Sequence, residues 1–117
     1  MRHEEDSLQI ACVRCFDLQY HRLSWALFHV PNGGSRNRIE AAKFKAMGVR
    51  AGVPDLILLH RSGAYSYLAL ELKAGKNTQT ANQKTYQSKM EADGGKYAVI
   101  RSIDDFIETV NEYLHQE

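Results

Sequence analysis

The sequence predicts an α/β fold: a mixed central β-sheet flanked by helices, in the order α-β-α-β-β-α-β-α. Apolar residues recur at three- and four-residue steps near both ends of the chain, the period of amphipathic helices. Two apolar runs in the middle, one opening at Asp55 and one closing at Lys73, are too continuous for that period and read as strands. Gly, Pro and Asn cluster between these segments and mark where the chain turns.

The first helix is expected from about Glu4 to Tyr20. Leu8, Ala11, Cys12, Cys15 and Phe16 share one of its faces, and acidic residues occupy its first turn, where the helix dipole favours them. Trp25 to Val30 is dense in aromatic and apolar residues, is cut off by the turn Pro31-Asn32-Gly33-Gly34, and is expected to be a strand. A second helical pattern runs from about Asn37 to Met47, with Gly48 placed to cap it. Gly52-Val53-Pro54 is a tight turn feeding the strand Asp55 to Leu59. His60 to Ala64 is expected as a hairpin loop, after which Tyr65 to Lys73 returns antiparallel to the preceding strand. Beyond the polar loop Ala74 to Asn77, Thr80 to Asp93 reads as a helix stopped by Gly94 and Gly95. Tyr97 to Ile100 is a short strand. Ser102 is placed to cap a last helix whose apolar face includes Phe106, Ile107, Val110 and Leu114.

A chain of 117 residues has room for one domain and one hydrophobic core, and a single domain over residues 1–117 is expected. Its 44% hydrophobic and 25% charged content is that of an ordinary globular protein. The formal net charge of +1 excludes a generally basic nucleic-acid coat, so any such surface must come from local clustering. The opening MRHEEDSLQ lacks the apolar core of a signal peptide, and no apolar stretch is long enough to cross a bilayer. A cytoplasmic location without a membrane partner is expected. Cys12 and Cys15 are spaced C-x-x-C, but no second ligand pair accompanies them, and both lie on the apolar face of a helical pattern. Core packing is the expected role.

Two carboxylates fall where carboxylates are rare. Asp55 opens the apolar run Leu56–Leu59, and Glu71 sits near the end of Tyr67–Leu72. If the two strands pair around the Arg61–Ala64 loop, Asp55 and Glu71 become cross-strand neighbours. Two adjacent carboxylates repel unless a cation lies between them, and a divalent ion with oxygen ligands resolves the conflict. Lys73, two residues past Glu71, projects from the same strand face and could orient an attacking water or stabilise charge on a phosphate. The plainer reading is a Glu71–Lys73 salt bridge, with Asp55 capping the Gly52-Val53-Pro54 turn.

The pattern Pro54-Asp55 followed by Glu71-Leu72-Lys73 resembles the catalytic motif of the PD-(D/E)XK nuclease superfamily. More narrowly, the stretch from Gly48 to Leu56 is similar to the signature of VRR-NUC domains, the virus-type replication-repair nucleases. Pro31-Asn32-Gly33-Gly34, Gln83 and Glu5 fit the same family, so the resemblance covers nearly the whole chain in order. It implies a restriction-endonuclease-like core and a metal-dependent endonuclease using Mg2+ or Mn2+. Asp55 and Glu71 would ligate the ion, with the Leu72 carbonyl as a further ligand, and Lys73 would be the catalytic lysine. Glu5 would complete or tune the metal shell. Gln83 would position the lysine or the substrate phosphate. Glu4 and Asp6 flank Glu5, and successive helix residues diverge by about a hundred degrees, so only one of the three can point at the site.

Arg36, Arg38, Lys43, Lys45 and Arg50 stand against the single acid Glu40 in the stretch leading to Asp55. They could contact DNA phosphates, as could Asn32 and Lys76, with a solvated helix face as the alternative. Lys84, also near the end of the strand that carries Lys73, is a further candidate for such a contact. His29 and His60 border apolar runs and are expected to be structural, and Tyr65, Tyr67 and Tyr86 to be packing residues. The resemblance further implies action on branched DNA, four-way (Holliday) junctions foremost, by a homodimer in a bacterial or phage-infected cell. A flap, single-strand or non-specific nuclease of the same fold, and a branched-DNA-binding module that does not cut, are the alternatives.

Overall fold

The computed structural model describes residues 2–31 and 37–115. Helix α1 (Arg2–Gln19) leads through a 3-10 helix (His21–Ala26) into strand β1 (Leu27–His29). Helix α2 (Arg38–Ala46), strands β2 (Leu56–Leu58) and β3 (Tyr67–Leu72), helix α3 (Ala81–Ala92), strand β4 (Gly95–Ile100) and helix α4 (Ile103–Leu114) follow. The strands form one four-stranded sheet in the order β1-β2-β3-β4. β1 with β2 and β2 with β3 are antiparallel, and β3 with β4 is parallel across α3. The sheet is therefore mixed and helix-flanked, as the sequence predicts.

The expected strand from Trp25 to Val30 is shorter in the structure. Trp25 and Ala26 close the 3-10 helix, whose start is set by Leu23 N–H donating to the Tyr20 carbonyl at 2.8 Å. Leu27 to His29 pair with β2, and the pairing is flanked by the Leu59 N–H donating to the Ala26 carbonyl and the Val30 N–H donating to the Asp55 carbonyl. β4 is longer than expected, since its parallel pairing begins at Tyr67 opposite Gly95. A Cβ on Gly95 would lie 2.4 Å from the Tyr67 ring, so a side chain there would displace that ring. The helix stop falls to Gly94, at φ +100°.

The pleat sorts the sheet into two chemistries. On one face Leu56, Leu58, Leu68, Leu70, Leu72 and Ile100 are buried against Cys12 and Phe16 of α1 and Phe106, Val110 and Tyr113 of α4. Each fully buried leucine contributes roughly 1.5–3 kcal/mol relative to an exposed one. Phe16 and Phe106 meet edge to face at 6.5 Å. Tyr113 was not among the residues expected on the α4 apolar face, yet it is fully buried and its hydroxyl donates to the His60 carbonyl at 2.6 Å. That bond ties the β2–β3 hairpin to α4. The other sheet face carries Ile57, Ala69, Tyr97 and the two strand carboxylates, with α3 packed over its β4 side.

Helix α2 differs from its neighbours. Asn37 caps it by accepting from Glu40 N–H at 2.8 Å, and Gly48, at φ +106°, follows its end. None of its residues is buried, and Ile39 is 85% exposed. Among the described residues, no helix is long and apolar enough to cross a membrane.

Candidate active site

The register of β2 and β3 sets Leu56 opposite Leu70, which brings Asp55 alongside Glu71 at the end of the hairpin. The turn before Asp55 needs glycine. Gly52 has φ +87°, and a Cβ there would come within 2.6 Å of the Asn82 carbonyl at the start of α3. Asp55 does not cap that turn. Its Oδ2 instead accepts from the Leu72 N–H at 2.8 Å, across to the strand that carries Glu71 and Lys73. The N–H and C=O of one strand residue point to the same side, so the Leu72 carbonyl is aimed at the Asp55 side as well.

Glu71 and Lys73 are the buried charged side chains among the described residues, at 2% and 7% exposure. Their charged atoms stand 3.8 Å apart, an ion-pair contact too long for a hydrogen bond. Burial, and next the charge of Asp55, push the Glu71 carboxyl up to about 8, although Lys73 opposes the shift. Asp55 is also raised, by burial first, against the lowering effect of the Leu72 N–H. Two partly desolvated carboxylates side by side are costly as two anions, which is the setting a hard cation with oxygen ligands relieves. The oxygens of Asp55, Glu71 and the Leu72 carbonyl fit Mg2+ or Mn2+ by that chemistry.

Of the three acids near the start of α1, Glu5 is the half-buried one turned toward the site, while Glu4 and Asp6 are exposed. Its Oε2 accepts from Ala74 N–H at 3.3 Å and from Asn77 Nδ2 at 3.4 Å, and its charge raises Asp55. Among the described residues no group of three or more His, Cys, Asp or Glu side chains is gathered to hold a metal ion. The Glu5 carboxylate rests on the loop after β3. That loop is braced by Arg101, whose Nη1 donates to the Gly75 and Asn77 carbonyls at 3.0 and 2.7 Å.

Gln83 reaches the site from α3, but its partner is neither Lys73 nor open solvent. Its Nε2 donates to Glu71 Oε2 at 2.8 Å, while its Oε1 accepts from Thr80 N–H at 2.9 Å and closes the capping box of α3. One amide thus starts the helix and grips the buried carboxylate. Sequence reasoning missed the group on the other oxygen: the Tyr97 hydroxyl donates to Glu71 Oε1 at 3.4 Å. Only the parallel β3–β4 register puts the two together, and no local pattern encodes it. His29 holds Nδ1 at 2.9 Å from the Asp55 carbonyl and 3.1 Å from Gln9 Nε2.

Arg38, Lys43, Lys45 and Arg50 are all exposed on or just beyond α2, and Lys76 is exposed in the loop after β3. Arg50 Nη1 donates to the Lys45 carbonyl at 3.3 Å, which holds it against the end of the helix. Asn32 and Arg36 lie outside the described residues.

A carboxylate pair on adjacent strands, a buried lysine one pleat further and a helix glutamine on the second carboxylate make up the candidate site on a helix-flanked mixed sheet. The VRR-NUC domain family matches residues 3–104, and the chain belongs to that family. A solved structure described as a VRR_NUC domain protein is 33% identical, with a TM-score of 0.81 over 94% of this chain and 87% of that one. No curated protein matches. The chain is accordingly a nuclease of the PD-(D/E)XK type.

Proposed function

We propose that residues 1–117 act as one nuclease domain that hydrolyses phosphodiester bonds in branched DNA with Mg2+ or Mn2+, and that a homodimer cuts four-way junctions. The observation that carries the hydrolytic part is Asp55 lying beside Glu71, with Lys73 on the same strand face. A divalent cation held there supplies Lewis acidity toward the phosphate and lends acidity to nearby water. Asp55 and Glu71 hold it, and Glu5 tunes the site from its seat on the 74–77 loop. Lys73 orients the attacking water and balances negative charge on the phosphate as the water oxygen bonds to phosphorus. The attacking water releases a proton to solvent, the bond from phosphorus to the opposite oxygen breaks, and that leaving oxygen takes up a proton from solvent.

The junction reading rests on size and symmetry. One chain carries one carboxylate pair, and paired cuts across a junction need two related sites. Large apolar side chains left in solvent, Trp25 at 69% and Phe28 at 42% beside the edge strand β1, support a second copy as the cover. Arg38, Lys43, Lys45, Arg50 and Lys76, with Asn32 and Arg36, supply phosphate contacts. The nuclease acts in the cytoplasm of a bacterial or phage-infected cell.

Cleavage of a labelled four-way junction, a flap and a linear duplex, with Mg2+ or Mn2+, tests the reading with wild type and Lys73→Ala. Metal-dependent paired nicks in the junction that vanish in the variant are the expected result. Cutting of the flap or linear DNA alone would discard the junction and keep the nuclease. Binding with no lysine-dependent cutting of any substrate would leave a DNA-binding module.

A further inference from the structure

The Glu71 carboxylate is gripped on both oxygens, and the second grip belongs to no sequence motif. Oε2 takes the Gln83 amide at 2.8 Å; Oε1 takes the Tyr97 hydroxyl at 3.4 Å. Tyr97 pairs with Ala69 across the β3–β4 ladder, and Ala69 is two residues before Glu71 on the same face. Ala69 offers only a methyl, so the Tyr97 ring has room to lean along the sheet toward the carboxylate. The ring is buried, 7% exposed, and a buried hydroxyl needs a partner.

The direction of the proton is set from outside. Gln79 Nε2 stands 3.4 Å from the Tyr97 oxygen. An amide nitrogen only donates, so the phenol oxygen accepts there and its single proton is left for Glu71. The same Nε2 donates to Gln87 Oε1 at 2.9 Å, and Gln87 Nε2 donates to Glu91 Oε2 at 3.1 Å. An ionised carboxylate accepts only, so Glu91 at the surface sets the orientation of Gln87, which sets Gln79, which sets the Tyr97 hydroxyl.

We propose that Tyr97 is a positioning residue for Glu71, held as a donor by Gln79, so that Glu71 keeps one orientation toward the cation. The inference rests on the proposed reading of Glu71 as a metal-holding carboxylate. Residues that orient a ligand from behind typically change metal affinity or activity by 10–100-fold. Tyr97→Phe keeps the ring and its packing and removes only the donor. Gln79→Leu keeps Tyr97 and removes what orients it.

Calorimetric titration with Mn2+ reads the effect directly, without cleavage. Tyr97→Phe is expected to raise the Mn2+ Kd about 10-fold, and Gln79→Leu to raise it by a smaller factor. Tyr86→Phe, a half-buried tyrosine on α3 outside this chain of bonds, should bind as wild type does. With saturating Mn2+, kcat should recover in Tyr97→Phe more fully than the metal affinity does, and the melting temperature should stay near that of wild type. A merely packing role would leave the Kd untouched. Wild-type Kd in Gln79→Leu, and in Tyr97→Phe where it folds, overturns the inference alone. A wild type that binds no Mn2+ overturns the metal reading of Glu71, and the inference falls with it.

Discussion

The Leu72 N–H donates to Asp55 Oδ2 at 2.8 Å, so the carboxylate at the entry of β2 replaces a backbone acceptor of the sheet. Stability and chemistry therefore meet in one side chain. Asp55→Ala leaves a partly buried N–H without its partner, at a cost of about 1–3 kcal/mol, and should abolish cleavage. Asp55→Asn can present an oxygen to the same N–H and should recover most of that stability while remaining inactive. Chemical denaturation beside a cleavage assay separates the two effects. Equal stability of the two variants would mean that the bond contributes nothing.

Stability of the cation-free protein should fall as pH rises. Glu71 titrates near about 8 in the folded chain against 4.5 without the fold, so between those values the folded state holds a proton the unfolded state has released. Its carboxyl lowers stability progressively across that window, with no further change above it. Asp55, also raised, acts in the same direction. Melting temperatures in a chelator should drop from about pH 5 to about pH 8, and Glu71→Gln should flatten most of the slope. Added Mn2+ should flatten it as well, by favouring the ionised pair. A wild-type melting temperature that rises over this range would contradict the assignment.

Glu5 should matter where its neighbours do not. Its carboxylate takes the Ala74 N–H and Asn77 Nδ2, whereas Glu4 and Asp6 are exposed. Glu5→Gln should weaken metal-dependent cleavage by roughly 10-fold or more, the scale of groups that tune a metal shell. Glu4→Gln and Asp6→Asn should cut at wild-type rates. Matched losses in all three variants would assign the effect to the charge of α1 rather than to this contact.

The exposed cations of α2 should act through salt. Lys43→Ala should weaken DNA binding evenly across sequences and lower the slope of log affinity against log salt by about 1. Fluorescence anisotropy over a salt series measures it. An unchanged slope would make α2 a solvated face and move the DNA elsewhere on the molecule.

Much of this architecture is local in origin. The helical periods around Cys12 and Phe16 and around Phe106 and Val110, the cap at Ser102 and the stop at Gly94 each depend on residues within a turn or two of one another. The same holds for the hairpin between β2 and β3, whose two apolar runs are adjacent in the chain and whose connection, residues 59–66, closes on itself through the Ser62–Tyr65 bridge. The pairing of Asp55 with Glu71 and the side on which Lys73 emerges follow from that hairpin and the pleat, which is why they are legible in a linear string.

Contacts that close over long stretches of chain are different. Tyr97 meets Glu71 only through a parallel register that no turn specifies, and Arg101 finds the 74–77 loop only after β4 has docked beside β3. Gln83 was visible as a polar residue on a helix, but its choice of Glu71 over Lys73 depends on how α3 lies across the sheet. Glu5 had two acidic rivals, and the rotation of α1 against the core, set by Cys12 and Phe16, chose among them. Side-chain periodicity records which face of an element is buried; it carries no information about the distance between faces. Those distances come from packing, and packing is a property of the whole chain.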